Sequence, residues 1–145
     1  MKFLNEFKQK NKIVIVRVDF NVPQDKDGKI IDDFRIKAVL PTIEYLKKKG
    51  SIIILIAHIG DDGKDSLKIV AGRIKKFLPT NFSFIESPIF SDETKKIINN
   101  LKNGDVVLLE NLRREVGEKT NSPSFARGIS RYADIYVNDA FSVSH

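Results

Sequence analysis

Ile13-Val-Ile-Val-Arg-Val-Asp-Phe-Asn-Val-Pro23, answered by Asp32-Asp-Phe-Arg-Ile36, decides how this chain is read. A β-branched run interrupted only by Arg17 breaks at Asp19, Asn21 and Pro23. That is the pattern of a strand buried on both faces, delivering hydrogen-bonding groups to its C-terminal end, where open α/β sheets bind their ligands. The arginines of the two segments suit an anion.

Working outward, apolar runs and helical periods alternate along the chain, the signature of βαβ units winding a parallel sheet. Strands are expected at 13–18, 51–56, 82–85, 106–109 and 135–137, with helices at 36–49, 67–78, 91–101 and 123–132. Leu40, Ile43 and Leu46 share one face of the first helix, and Val70, Ile74 and Phe77 one face of the second. Gly50 follows the first helix as a C-terminal stop and Pro79 follows the second. Ser91 before Asp-Glu-Thr, and Ser122 before Pro123, read as N-caps. Asp27-Gly28 marks a turn within 23–30, expected on the ligand face. The fold class is therefore α/β: a doubly wound parallel sheet in a three-layer αβα, Rossmann-like arrangement.

Composition narrows the function. The 145 residues suit one domain, which at that size buries ~68–70% of the surface its unfolded chain exposes. Charged residues make up 30% and hydrophobic ones 41%, a globular balance. No apolar run reaches the ~20 residues of a membrane span, and Met1-Lys-Phe-Leu-Asn-Glu lacks a signal-peptide core, so a cytoplasmic protein is expected. With no cysteine and only His58 and His145, no zinc centre is expected. The net charge of +6 comes from lysines scattered over helices rather than from one basic stripe, which argues against nucleic acid.

In a parallel sheet all strand C-termini share one rim, so the residues following each run should converge. These are Asp19 and Asn21; Ala57-His58-Ile59-Gly60; Glu110-Asn-Leu-Arg113; and Asn138-Asp139-Ala-Phe141. Each has an ordinary structural alternative. Asp19 and Asn21 can form an Asx turn, and His58 can be a hydrogen-bonded packing residue. Arg35 opens a helix, where positive charge opposes the dipole, and so needs Asp32, Asp33 or a bound anion nearby. Of Arg113 and Arg114, at least one should face the rim. Arg17, inside the strand, should be a structural residue paired with a carboxylate. Nucleotide motifs are lacking: Gly60-Asp-Asp-Gly-Lys-Asp-Ser66 departs from a P-loop, no G-x-G-x-x-G occurs, and Asp25-Lys-Asp-Gly28 is too short for a calcium loop.

Val16-Arg-Val-Asp-Phe-Asn-Val-Pro23, Asp32-Asp-Phe-Arg-Ile36, Ala57-His-Ile-Gly60, Leu108-Leu-Glu-Asn-Leu-Arg113 and Ala133-Asp-Ile-Tyr-Val-Asn-Asp-Ala-Phe141 together resemble, in order and spacing, the N-terminal domain of the phosphoglycerate kinase family. The resemblance implies a glycolytic enzyme that transfers a phosphoryl group reversibly between ATP and 3-phosphoglycerate. Residues 1–145 would be an incomplete N-terminal domain holding 3-phosphoglycerate or 1,3-bisphosphoglycerate. Mg2+ with ATP or ADP would bind a C-terminal domain that this chain lacks, so the chain alone should be inactive. The resemblance further implies a cytoplasmic monomer with neither nucleic-acid nor membrane partner.

It places substrate against Asp19, Phe20, Asn21, Arg35, His58, Ile59, Gly60, Asp61 and Arg113. Asp19 and Asn21 would bond the substrate hydroxyl and neighbouring oxygens. Arg35, the one catalytic assignment, would hold the carboxylate and the phosphoryl group in flight, and His58 and Arg113 would grip the remote phosphate. Departures are visible. The family usually has arginine then proline after the glycine of its His-x-Gly motif, where this chain has Asp61 and Asp62. Ser142 and Ser144 stand where Gly and Ala are usual, and the chain stops at His145, one residue short of a common arginine. A non-catalytic anion-binding module derived from the same domain is the alternative reading.

Overall fold

Residues 11–140 are described by the structure, a computed structural model. Strand β1 (Ile13–Val18) is buried on both faces, as its β-branched composition requires: Val14, Val16 and Val18 face one layer of helices and Ile15 the other. The remaining strands are β2 (Ile52–Ile56), β3 (Phe82–Ile85), β4 (Val106–Leu109) and β5 (Ile135–Asp139). All pairings are parallel, in the order β3-β4-β2-β1-β5, with Ile15 opposite Ile54 on one side and Tyr136 on the other.

Helices α1 (Phe34–Lys48) and α2 (Lys68–Phe77) cover one face, burying Ile36, Ile43, Leu46, Val70 and Ile74 against Val16, Leu55 and Leu108. Helices α3 (Asp92–Asn99) and α5 (Pro123–Ser130) cover the other, bringing Ile98 and Ile129 to Ile15, Ile54 and Leu109. The expected doubly wound, three-layer sheet is therefore present. No helix among the described residues is long and apolar enough to cross a membrane.

Local chemistry explains the boundaries. Gly50, at φ +73, ends α1 with its N–H donating to the Lys47 carbonyl. Ser91 caps α3 by accepting from Thr94 N at 3.2 Å. Asp25 Oδ1 accepts from Asp27 N and Lys29 N, closing the turn that Gly28 makes at φ +78. Ser122 departs from expectation: its backbone sits at the start of α5 before Pro123, but its hydroxyl bonds Ser124 Oγ at 2.8 Å and caps no N–H. The Ser124 hydroxyl two positions on competes successfully for it. Strand β5 also runs further than expected, taking Asn138 and Asp139 into the ladder opposite Arg17 and Val18.

Candidate functional site

The loop after β1 is tied down by its own polar groups. Asn21 N donates to Asp19 Oδ1 at 3.1 Å, the Asx turn that the spacing allows, while Asn21 Oδ1 accepts from Gly60 N at 3.1 Å. One side chain thus joins the ends of β1 and β2. Arg35, in the first turn of α1, reaches back to Asp19 Oδ1 at 3.1 Å and the Asn21 carbonyl at 2.7 Å. Its neighbour is therefore Asp19 and neither Asp32 nor Asp33. Asp32 accepts from Phe34 N, and Asp33 is held by Arg73 at 2.8 Å, a bond that lowers its pKa. Asp19, Arg35, Phe34 and Asp139 border a hollow of ≈ 190 Å³.

A second polar centre lies after β4. A 3-10 turn (Leu112–Arg114) and helix α4 (Val116–Lys119), neither of them expected from the sequence, present Arg113 and Glu118. Arg113 Nε lies 3.1 Å from Glu118 Oε2, and Arg17 Nη2 lies 2.8 Å from Glu118 Oε1. Arg17 thus has the carboxylate partner its burial demands. Arg17, Arg113, Lys119 and Asn138 line a cavity of ≈ 400 Å³. Of the adjacent arginines, Arg113 takes the cavity; Arg114 donates to the Gly63 and Lys64 carbonyls.

Two buried groups hold these loops in register. Glu110 accepts from Ser66 Oγ at 2.8 Å and Leu67 N at 2.9 Å, fixing the start of α2 from across the sheet. Asn111, fully buried, accepts from Ile59 N and Arg113 N and donates to the Ile59 and Asp65 carbonyls. Gly63 allows the close approach of the two loops: its φ is +78, and a Cβ there would lie 2.5 Å from the Arg113 carbonyl oxygen.

The expected site residues border two of the hollows at this rim. Asp19 and Arg35, both hydrogen-bonded to Asn21, border one and Arg113 the other, and the charges of Asp19, Arg17, Arg113 and Glu118 all act on His58. The side chains of Phe20 and Ile59 are in the core, 0% and 1% exposed, so only their backbones are placed at the rim. Asp61 is exposed beside Gly60. Phe141, Ser142, Ser144 and His145, together with the segment that opens at Met1, lie outside the described residues.

His58 is 6% exposed. Burial first, then Arg113, holds its pKa below the usual 6.5; Glu118 pulls upward, Arg17 downward and Asp19 upward with smaller effect. Below pH 6.5 the unfolded chain therefore binds a proton that the folded chain refuses, so stability falls as pH drops from 6.5 towards the folded pKa. Urea midpoints between pH 7.5 and 5.5 should fall more steeply for the wild type than for His58→Gln. Parallel profiles would show that His58 does not control this window.

A sequence-family model described as Phosphoglycerate kinase matches residues 4–145. The chain is 43% identical over 150 residues to the phosphoglycerate kinase of Coprothermobacter proteolyticus, covering 100% of this chain and 38% of that one. It is 46% identical over 140 residues to the enzyme of Pseudothermotoga lettingae, covering 93% and 35%. The crystal structure of phosphoglycerate kinase from Pyrococcus horikoshii superposes with a TM-score of 0.89 at 37% identity, covering 100% of this chain and 38% of that one. The chain therefore spans well under half the length of the relatives it matches.

Proposed function

This chain belongs to the phosphoglycerate kinase family, and on that premise we propose that its strand-end residues form the acceptor side of a phosphoryl-transfer site. The ligand is 3-phosphoglycerate, or 1,3-bisphosphoglycerate in the reverse direction. ATP or ADP, with Mg2+, is held by a part of the longer relatives that lies beyond the matched segment. The intact enzyme works as a cytoplasmic monomer.

The observation that carries this reading is the set of guanidinium groups at the rim of one parallel sheet. Arg35 is anchored by Asp19 and the Asn21 carbonyl, and Arg113 and Arg17 border the second hollow. In the proposed reaction a substrate carboxylate oxygen attacks the γ-phosphorus of ATP, a new P–O bond forms, and the bond to the β-phosphate oxygen breaks as ADP leaves. Such transfers need positioning and charge stabilisation rather than a covalent enzyme intermediate. Arg35 holds the carboxylate and balances charge on the group in flight. Asp19 and Asn21 orient the hydroxyl, while His58 and Arg113 grip the remote phosphate. Asp61, exposed and next to Gly60 in the chain, adds a negative charge to that loop, which repels the phosphate and lowers affinity.

Calorimetry of the chain with 3-phosphoglycerate tests the reading. Weak binding is expected, reduced about tenfold by Arg35→Ala through loss of a charge-assisted contact. No heat from the wild type, or no change on substitution, would overturn it.

A further inference from the structure

Glu118 is a carboxylate buried without any local sequence signal for burial. Its side chain is 6% exposed, and each oxygen faces a different arginine: Oε1 accepts a hydrogen bond from Arg17 Nη2 at 2.8 Å, while Oε2 lies 3.1 Å from Arg113 Nε in an ion pair whose angle is outside hydrogen-bond geometry. The arginines come from β1 and from the 3-10 turn after β4, so one acidic side chain joins two distant elements. A carboxylate removed from water is costly unless paired, and here two guanidinium groups offset that cost.

The geometry at Arg113 is selective. Glu118 approaches Arg113 at Nε through this ion pair, and the terminal Nη1 and Nη2 have no hydrogen bond or ion pair to another described residue. Those are the two nitrogens that make the bidentate fork for a phosphate or carboxylate. Arg113 and Arg17 border the cavity that also includes Lys119 and Asn138.

We propose that Glu118 is a positioning residue for anion recognition: it holds the Arg113 guanidinium by its Nε edge, with Arg17 braced on the opposite oxygen, so that the Arg113 fork serves the cavity. The inference rests on the reading of Arg113 as a substrate ligand. Charge and position here have opposite signs. Removing a carboxylate beside a cationic site strengthens the pull on an anion, so a purely electrostatic role predicts tighter binding without it. A positioning role predicts weaker binding, because two long side chains regain rotamer freedom and repel each other.

The test uses the 145-residue chain with 15N-labelled arginine. Relaxation of the Arg113 Nε–H reports its order without ligand, and calorimetry with 3-phosphoglycerate and with inorganic phosphate reports affinity. In the wild type Arg113 should be ordered. Glu118→Gln should release it and weaken 3-phosphoglycerate binding about tenfold. Glu118→Asp keeps the charge but is one methylene shorter, and should fail to restore either readout. Should the Gln variant lose its circular dichroism, the Asp variant carries the comparison. An Arg113 as mobile in the wild type as in the variants overturns the inference, as does unchanged or tighter binding in the Gln variant with wild-type behaviour in the Asp variant. An ordered Arg113, released in the variants, in a wild type that gives no heat overturns the substrate reading and leaves the holding of the fork supported.

Discussion

Asn111→Ala is expected to remove about 4 kcal/mol of stability, a large part of the ~5–15 kcal/mol that folds a domain. Asn111 is 0% exposed and makes four hydrogen bonds to backbone groups of three segments. Truncation leaves the N–H of Ile59, the N–H of Arg113 and two carbonyls without those partners. A buried polar group left unpaired costs ~1–3 kcal/mol, and the sum is reduced where water enters or the loops relax. Asn111→Asp should do no better: it keeps the acceptor, loses both donors and buries a second carboxylate beside Glu110. Urea denaturation measures the loss, and a change below about 1 kcal/mol would show that the loops hold their register without this side chain. Because Asn111 fixes Ile59 and Arg113 together, the destabilised variant should also lose anion binding beyond what its folded fraction explains.

The strands were legible because β-branched runs bounded by polar residues leave little else to be. Phe82–Ile85 and Val106–Leu109 fall where their patterns place them. The helices were legible through apolar spacing and punctuation, Gly50 and Ser91 acting as their chemistry requires. What could not be read was short or distant. Helix α4 has four residues and its one large apolar side chain, Val116, is 87% exposed, so no apolar period announces it. Glu118 lies in a polar Gly-Glu-Lys run, and its partner Arg17 is 101 positions away. Glu110 and Asn111 were visible as polar groups after a strand, a description that fits ligand contacts and loop scaffolding equally. Their hydrogen bonds to Leu67, Ile59 and Asp65 decide for scaffolding. Arg35 shows the same limit. Its charge at a helix start called for a partner, but Asp19 becomes that partner only when β1 and α1 pack.

Phe20→Ala should cost a similar ~3–5 kcal/mol, the range for removing a buried aromatic side chain. Phe20 is 0% exposed and among the largest fully buried side chains, yet it stands between Asp19 and Asn21, whose polar groups face the rim. Just past the end of β1, Phe20 keeps the parity of Val14, Val16 and Val18 and joins their core cluster, while the residues on either side of it are held in the Asx turn. The resemblance places Phe20 in the substrate site, and the packing gives its side chain a different task, that of anchoring the loop on which the site is built. Phe20→Leu retains an apolar group in the same space and should cost less than about 1.5 kcal/mol. The loop should respond as well as the core. Asn21 Oδ1 accepts from Gly60 N at 3.1 Å, so hydrogen exchange at the Gly60 amide reads whether the β1 and β2 ends stay joined. Protection of that amide should fall in Phe20→Ala and persist in Phe20→Leu. An Ala variant as stable as the wild type, with Gly60 still protected, would mean that the Asp19–Asn21 turn keeps its place through its own hydrogen bonds and Arg35, without the aromatic anchor beneath it.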